Sequence, residues 1–393
     1  MLKQYKQMPV WGLLLIWGCL PFLSCCTSGG ERRLVENNGH REAEQSQIEI
    51  EFAKRFEIAH KDGYKLVTVN KPWRYSKARF SYALVERGAP DPELPDSIPV
   101  VKIPVKKLVC TSTTHLSSLE YLGDIDKLVG FPDTKYISSE KIRVVLDEGG
   151  IAELGSEAGL NIEALLSLEP DLVIDFAMGK EYDNYKVIKK MGIPVVINAD
   201  YMENTPLGRA EWIKFISLFL NREKKADSVF DIIRSNYDSL ALLARKADSQ
   251  PTVYSGIVYG DFWYVPGGNN FGAKFLADAG GKYLWADDPT SGNIPLSFEA
   301  VYDRAYKADY WMGVGSFNSL DEIRKTDIRY TQFNAFKNGN VYNYNARMSP
   351  EGGNAFMELG YLRPDIVLAD IIKILHPELL PGYQLFFYQK LEN

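Results

Sequence analysis

The chain has 393 residues, 46% of them apolar and 24% charged, with a formal net charge of −6. That length exceeds one ordinary core and predicts two lobes. The composition excludes a disordered chain, and the acidic balance excludes general nucleic-acid binding.

Lys3 and Lys6 precede an apolar stretch from Val10 to Leu23, short for a membrane span. It ends in Phe22-Leu23-Ser24-Cys25-Cys26, followed by Thr-Ser-Gly-Gly. The pattern reads as a lipoprotein signal over residues 1–25, cleaved before a cysteine whose thiol takes a diacylglyceryl chain. Cys25 follows a small residue, Ser24. Cys26 has Leu23 three places before it but a cysteine immediately before it, so Cys25 is favoured and Cys26 is the alternative. An ordinary secretory signal is the competing reading. Residues 26–48 are polar and predict a flexible tether. Cys110 is the one cysteine of the folded part, which excludes an internal disulfide framework.

Residues 49–104 predict a strand-rich extension. Its first feature is a hairpin closed by Asp62-Gly63, and its last, 90–104, is a loop rich in Pro and Asp. Residues 105–205 alternate short apolar runs with helices: Leu108-Val-Cys, a loop from Thr111 to His115 and a helix to Leu122, Leu128-Val-Gly-Phe, a helix capped by Asn161, Leu172-Val-Ile, a helix over 182–191, then Ile193-Pro-Val-Val-Ile. This predicts a parallel sheet with both faces covered. Residues 206–247 are helical throughout. Asn221 breaks them, and a helix from Arg222 to about Lys246 spans roughly 36 Å at 1.5 Å per residue. Strand–helix alternation resumes over 248–393, with strands at Thr252–Tyr259, Asp309–Val314 and Asn340–Tyr344 and helices at Phe271–Ala279, Val301–Tyr306 and Pro364–Leu375. The expected fold class is α/β: two Rossmann-like lobes with parallel sheets, joined by a long backbone helix, plus the N-terminal extension.

The two halves echo each other. Asn161-Ile-Glu163-Ala leads to Pro170-Asp171 and a strand, and Ser297-Phe-Glu299-Ala leads to Ala308-Asp309 and a strand. Asn and Ser are good N-caps, and a glutamate in the first turn suits the positive end of the helix dipole. Helix capping alone accounts for both glutamates. One copy nevertheless precedes the long helix and the other follows it.

Taken in order over residues 105–380, several pieces carry a family likeness. They are Val109 to Gly130, Asn161 through Pro170-Asp-Leu-Val-Ile, Gly192-Ile-Pro-Val-Val, Leu296 to Asp309, Ala335 to Tyr342, and Leu375 to Leu379. Together they resemble the helical-backbone periplasmic binding proteins that serve ABC importers of iron-siderophores, haem and vitamin B12. The resemblance implies a monomer without a resident cofactor, lipid-anchored in the cell envelope. It would hold an iron chelate, cobalamin or haem between its lobes and hand it to a permease dimer. It also implies that Glu163 and Glu299 are surface carboxylates that dock on permease arginines.

Ligand contacts implied by the resemblance fall on loops at strand ends: Thr113, Thr114 and His115, then Glu157, then Tyr259, Trp263 and Tyr264, and Arg347. The chain departs from the family at the first loop, where Thr113 replaces a proline and Leu116-Ser117 replace Thr-Glu. Aromatic rings suit flat chelates and arginine suits anionic ones. His115 is a candidate metal ligand or a simple hydrogen-bonding partner. No His/Asp/Glu cluster has zinc-site spacing, which favours organic chelates over bare ions. No P-loop, Gly-x-Ser-x-Gly or His-Glu-x-x-His occurs, so the expectation is a binding protein and not an enzyme. The alternatives are an exported hydrolase and a structural or adhesive surface lipoprotein.

Overall fold

The computed structural model describes residues 48–156, 159–176 and 185–393. The signal region, Cys25, Cys26, the tether up to residue 47, and Glu157 lie outside the described residues, as does part of the expected 182–191 helix.

The N-terminal extension is a four-stranded sheet. β1 (Phe56–Lys61) and β2 (Tyr64–Asn70) pair antiparallel, Phe56 opposite Val69 and Lys61 opposite Tyr64. The turn between them uses Gly63 at φ +80°, a conformation open to glycine. β3 (Arg79–Glu86) continues the meander, and β4 (Val100–Ile103) runs parallel to β3. β4 corrects the loop expected over 90–104. Its four residues sit between Pro99 and Pro104, which hid a short alternating run that buries Val101 and Ile103. The sheet has no core of its own. Val67, Val69, Tyr82 and Leu84 share one apolar cluster with the next lobe. Phe56 lies 4.7 Å from Trp212 and 5.3 Å from Phe215, centroid to centroid.

The first lobe runs β5 (Leu108–Cys110), α1 (Thr113–Leu122), β6 (Leu128–Phe131), α2 (Glu140–Asp147), β7 (Ala152–Glu153), a small hairpin of β8 (Gly155–Ser156) and β9 (Gly159–Leu160), α3 (Ile162–Ser167), β10 (Leu172–Asp175), α4 (Tyr185–Lys190) and β11 (Val195–Ile197). Its sheet is parallel throughout, in the order β11-β10-β5-β6-β7. Side chains alternate between two clusters: Leu108, Cys110, Leu172 and Ile174 face one, while Val109, Val173 and Val195 face the other. Both faces are therefore covered, as continuous apolar strands require. Burial makes the Cys110 thiol inert by pushing its pKa up.

Three helices follow: α5 (Pro206–Ala210), α6 (Trp212–Leu220) and α7 (Glu223–Ala244). Asn221, at φ +55°, turns the chain between α6 and α7. α7 has 22 residues, about 33 Å of helix. One stripe of it serves two cores: Ala226, Phe230 and Ile233 pack into the first, and Tyr237 and Ala244 into the second.

The second lobe contains β12 (Thr252–Ser255), β13 (Ile257–Tyr259), β14 (Phe262–Pro266), α8 (Phe271–Asp278), β15 (Lys282–Tyr283), β16 (Asn293–Leu296), α9 (Phe298–Ala305), β17 (Tyr310–Met312), α10 (Leu320–Thr326), α11 (Asn334–Lys337), β18 (Val341–Asn343), α12 (Ala355–Glu358), α13 (Pro364–Leu375) and β19 (Gln389–Lys390). Its main sheet is ordered β15-β12-β17-β18-β19, parallel except for β19. A second, antiparallel sheet is formed by β13, β14 and β16. The lobes also meet directly. The Glu358 carboxylate of α12 accepts the backbone N–H groups of Ser138 (2.6 Å) and Ser139 (3.1 Å). Among the described residues no helix is long and apolar enough to cross a membrane.

Candidate functional site

A cleft of about 470 Å³ opens where β12 and β17 end, the end of a parallel sheet at which α/β folds bind ligands. That volume falls within the roughly 300–1,000 Å³ of small-molecule sites. Ser255 and Gly256 leave β12 on one side, and Met312 and Gly313 leave β17 beside them. Gly256 adopts φ +85°, and a Cβ there would collide with the Tyr264 carbonyl, so only glycine fits. Tyr344, Phe356 and Tyr388 form an aromatic wall. Tyr344 stacks on Phe356 with centroids 4.5 Å apart and meets Tyr388 edge-on at 6.1 Å. Burial raises the Tyr344 and Tyr388 phenol pKa values, so both stay protonated donors.

The first lobe supplies the opposite wall through residues 201–204, which follow β11, and Arg209 of α5. Arg209 is 8% exposed. Its guanidinium carbon sits 3.4 Å from the Phe271 ring centroid and 4.6 Å from that of Tyr361. Nε donates to the Glu203 carbonyl (3.1 Å) and Nη2 to that of Tyr201 (2.7 Å). Nη1 has no partner. A buried, unsatisfied charged donor is costly unless something supplies an acceptor. Nearby, burial raises the Asp200 pKa against the opposing pulls of the Thr114 hydroxyl and the Arg209 charge.

Two further carboxylates fasten the N-terminal sheet beside this wall. Glu203 accepts the N–H groups of Lys54 (2.8 Å) and Arg55 (2.9 Å) and the Trp212 indole (3.2 Å). Glu211, with no exposure, accepts those of Glu51, Phe52 and Ala53 at 2.7–2.9 Å. Arg74, from the loop between β2 and β3, reaches the cleft from the extension.

Of the expected ligand residues that the structure describes, Tyr264 lines this cleft and the rest do not. His115 falls inside α1 and not in a loop, fully buried, with neither ring nitrogen bonded among the described residues. Desolvation lowers its pKa to about 3, leaving a neutral imidazole in the interior. Trp263 is also fully buried, its indole N–H donating to the Ser255 carbonyl at 3.2 Å. Tyr259 is 80% exposed beside the β13–β14 turn. Arg347 lies 3.9 Å over the Phe386 ring and donates to its carbonyl. Thr113 begins α1, and the Thr114 hydroxyl bonds with that of Ser112. Glu163 and Glu299 are exposed in the first turns of α3 and α9, behind caps made by Asn161 and Ser297. Arg209, Arg74 and Glu203 carried no sequence signal. The described residues contain no group of three or more His, Cys, Asp or Glu able to hold a metal ion.

The model of the periplasmic binding protein family matches residues 108–348. The chain belongs to that family. Its members bind solutes and are not enzymes, which removes the hydrolase alternative. A periplasmic haem-binding protein of Pseudomonas aeruginosa superposes with a TM-score of 0.56 at 20% identity, over 74% of this chain and 99% of that one. A possible iron-binding periplasmic protein of Staphylococcus epidermidis gives 0.54 at 19% identity, over 70% and 99%. These share the two-lobed fold of the helical-backbone class. An uncharacterized lipoprotein of Methanocaldococcus jannaschii is 29% identical over 76% of this chain and 72% of its own length. A second lipoprotein of that organism is 26% identical over 97% of this chain and 98% of its own. That match takes in the N-terminal sheet, which lies outside the family match.

Proposed function

We propose that this periplasmic binding protein captures a metal chelate in the interlobe cleft and delivers it to an ABC import permease. An iron-siderophore is the first choice, with haem or cobalamin next. The observation that carries the reading is the pairing, in one cleft, of an aromatic wall with an arginine whose Nη1 is buried and unpartnered. Rings stack on flat or greasy ligand faces, and a desolvated guanidinium meets an anionic or carbonyl oxygen. The names of the archaeal relatives and the Cys25-Cys26 segment support lipid anchoring at the cell envelope. Exposed Glu163 and Glu299, one on each lobe, are the permease-docking carboxylates. The protein carries no resident cofactor and works as a monomer.

Native mass spectrometry and tryptophan-quenching titration against ferric siderophores, haem and cobalamin test this. One class is expected to bind at 1:1 stoichiometry and to bind about tenfold more weakly to Arg209→Met. Absence of binding by the whole panel overturns the cargo reading.

A further inference from the structure

The N-terminal sheet and the segment leading into it bring several cations to one concavity. A second cavity, of about 570 Å³, lies between this sheet and the 202–205 segment. Met202, Glu203 and Asn204 line both cavities, so the second adjoins the cleft as a vestibule. Its wall holds Lys54, Arg55, Lys71, Lys77 and Arg79 against one carboxylate, Glu203. Five cations and one anion in a chain of net charge −6 is a marked local excess. Glu203 is moreover saturated by backbone N–H groups and the Trp212 indole. Arg79 pairs with Glu57, while Arg55, Lys71 and Lys77 make no ion pair among the described residues.

Arg74 links the vestibule to the cleft. It belongs to the same loop as Lys71 and Lys77, lines the cleft, and likewise has no ion pair among the described residues. Its guanidinium lies 3.3–3.6 Å from where a Cβ on Gly292 would stand, so the glycine leaves room for it. Arg209 lines the same cleft, more than nine-tenths buried, with Nη1 unpartnered among the described residues. The cations thus run from the cleft wall out along the extension. Exposed cations in a concavity reinforce one another's field and attract an anion.

We propose that the N-terminal sheet completes the binding site as a cationic vestibule. The cargo then carries an anionic arm, carboxylate or phosphate, that leaves the cleft past Met202–Asn204 and lies against Arg74, Lys71 and Lys77. This rests on the cleft being the ligand site, and bare anions test it independently of any chelate. Citrate and pyrophosphate are titrated calorimetrically into the full chain at low salt. Both are expected to bind, to weaken steeply as salt rises, and to bind about tenfold more weakly to Arg74→Gln/Lys77→Gln. Gly292→Ala, whose Cβ would only press on the Arg74 guanidinium at 3.3–3.6 Å, keeps the charge and is expected to change binding by less than about twofold. Thermal melts confirm that each variant folds. If neither anion binds while a chelate does, the vestibule is overturned and the cleft reading stands. If phosphatidylglycerol vesicles bind with the same variant dependence and citrate does not, the surface serves a membrane and the proposal also falls.

Discussion

The two lobes share a plan and divide the work unequally. Each is an α/β unit built on a mainly parallel sheet, and α3 and α9 match as capped helix starts with a first-turn glutamate. The second lobe fills its core with rings, among them Tyr254, Trp263, Trp311 and Phe333 at 5.2–6.1 Å separations, and supplies most of the cleft. The first is mainly aliphatic in its sheet and gives the cleft only the 201–204 segment and Arg209. What distinguishes the first lobe is bracing: Glu203 and Glu211 hold the added sheet against it. A shared scaffold fixes where a site lies, while strand-exit loops and a local addition decide its chemistry.

The largest effect should come from breaking the brace. Glu211 is wholly buried beside Lys214 (3.2 Å) and accepts three backbone N–H groups. Glu211→Ala leaves those three donors without their acceptor and leaves Lys214 with the Glu49 carbonyl and Asp227 only. A loss of about 3–5 kcal/mol is expected from urea unfolding, with earlier proteolysis within 49–104. A loss below about 1 kcal/mol, the worth of an exposed pair, would show that the sheet stands without the brace.

Local signals carried much of the fold. Asn161, Ser297 and Asn221 each act where their residue types predict, and Pro364 to Leu375 is a helix as read. The site was far less legible. Period-2 alternation in β14 points Trp263 and Val265 inward and Phe262 and Tyr264 outward, so Trp263 and Tyr264 could not both face a ligand. The alternation is legible in Phe262-Trp-Tyr-Val itself. His115 looked like a loop residue because a polar run precedes it, yet Ser112 caps α1 and draws it into the helix. The partners of Glu211 and Glu203 lie about 150–160 residues away in sequence, and no local pattern encodes such a pairing.

Besides Arg209 Nη1 and Asn198 Nδ2, two buried titratable groups lack a hydrogen-bond partner among the described residues, His115 in the first lobe and the Tyr254 hydroxyl in the second. They differ in what acid does to them. Burial pushes the Tyr254 phenol well above its ordinary range, so it stays neutral at any physiological pH. His115 has a folded pKa of about 3 against 6.5 unfolded. Between those values the unfolded chain binds the extra proton, so stability is full above about pH 6.5 and falls as pH drops toward 3. At pH 5 the cost is about 2 kcal/mol. Raised carboxyl pKa values at Asp200, Glu203 and Glu358 oppose it, so the readout is a difference between proteins. His115→Leu should lose less stability than the parent between pH 7 and 5 in denaturant titrations. Equal losses would place the acid sensitivity elsewhere.

The smallest effect on the isolated protein should come from the feature the lobes share most closely. Glu163 and Glu299 sit at matching positions, and Asn161 and Ser297 already satisfy the first N–H groups of both helices. What each glutamate adds is its interaction with the helix dipole, roughly 0.3–1 kcal/mol when exposed. Glu299 also faces Arg329 at 3.3 Å, an exposed pair that solvent screens. Glu163→Ala and Glu299→Ala should therefore leave chelate affinity unchanged and shift unfolding by under about 1 kcal/mol. With the permease reconstituted in vesicles, the same substitutions should abolish uptake, because exposed carboxylates fix docking register on arginines. Losing both makes the separation strict: a double variant that still transports leaves the glutamates as helix caps alone, and one that no longer binds chelate ties them to the cleft.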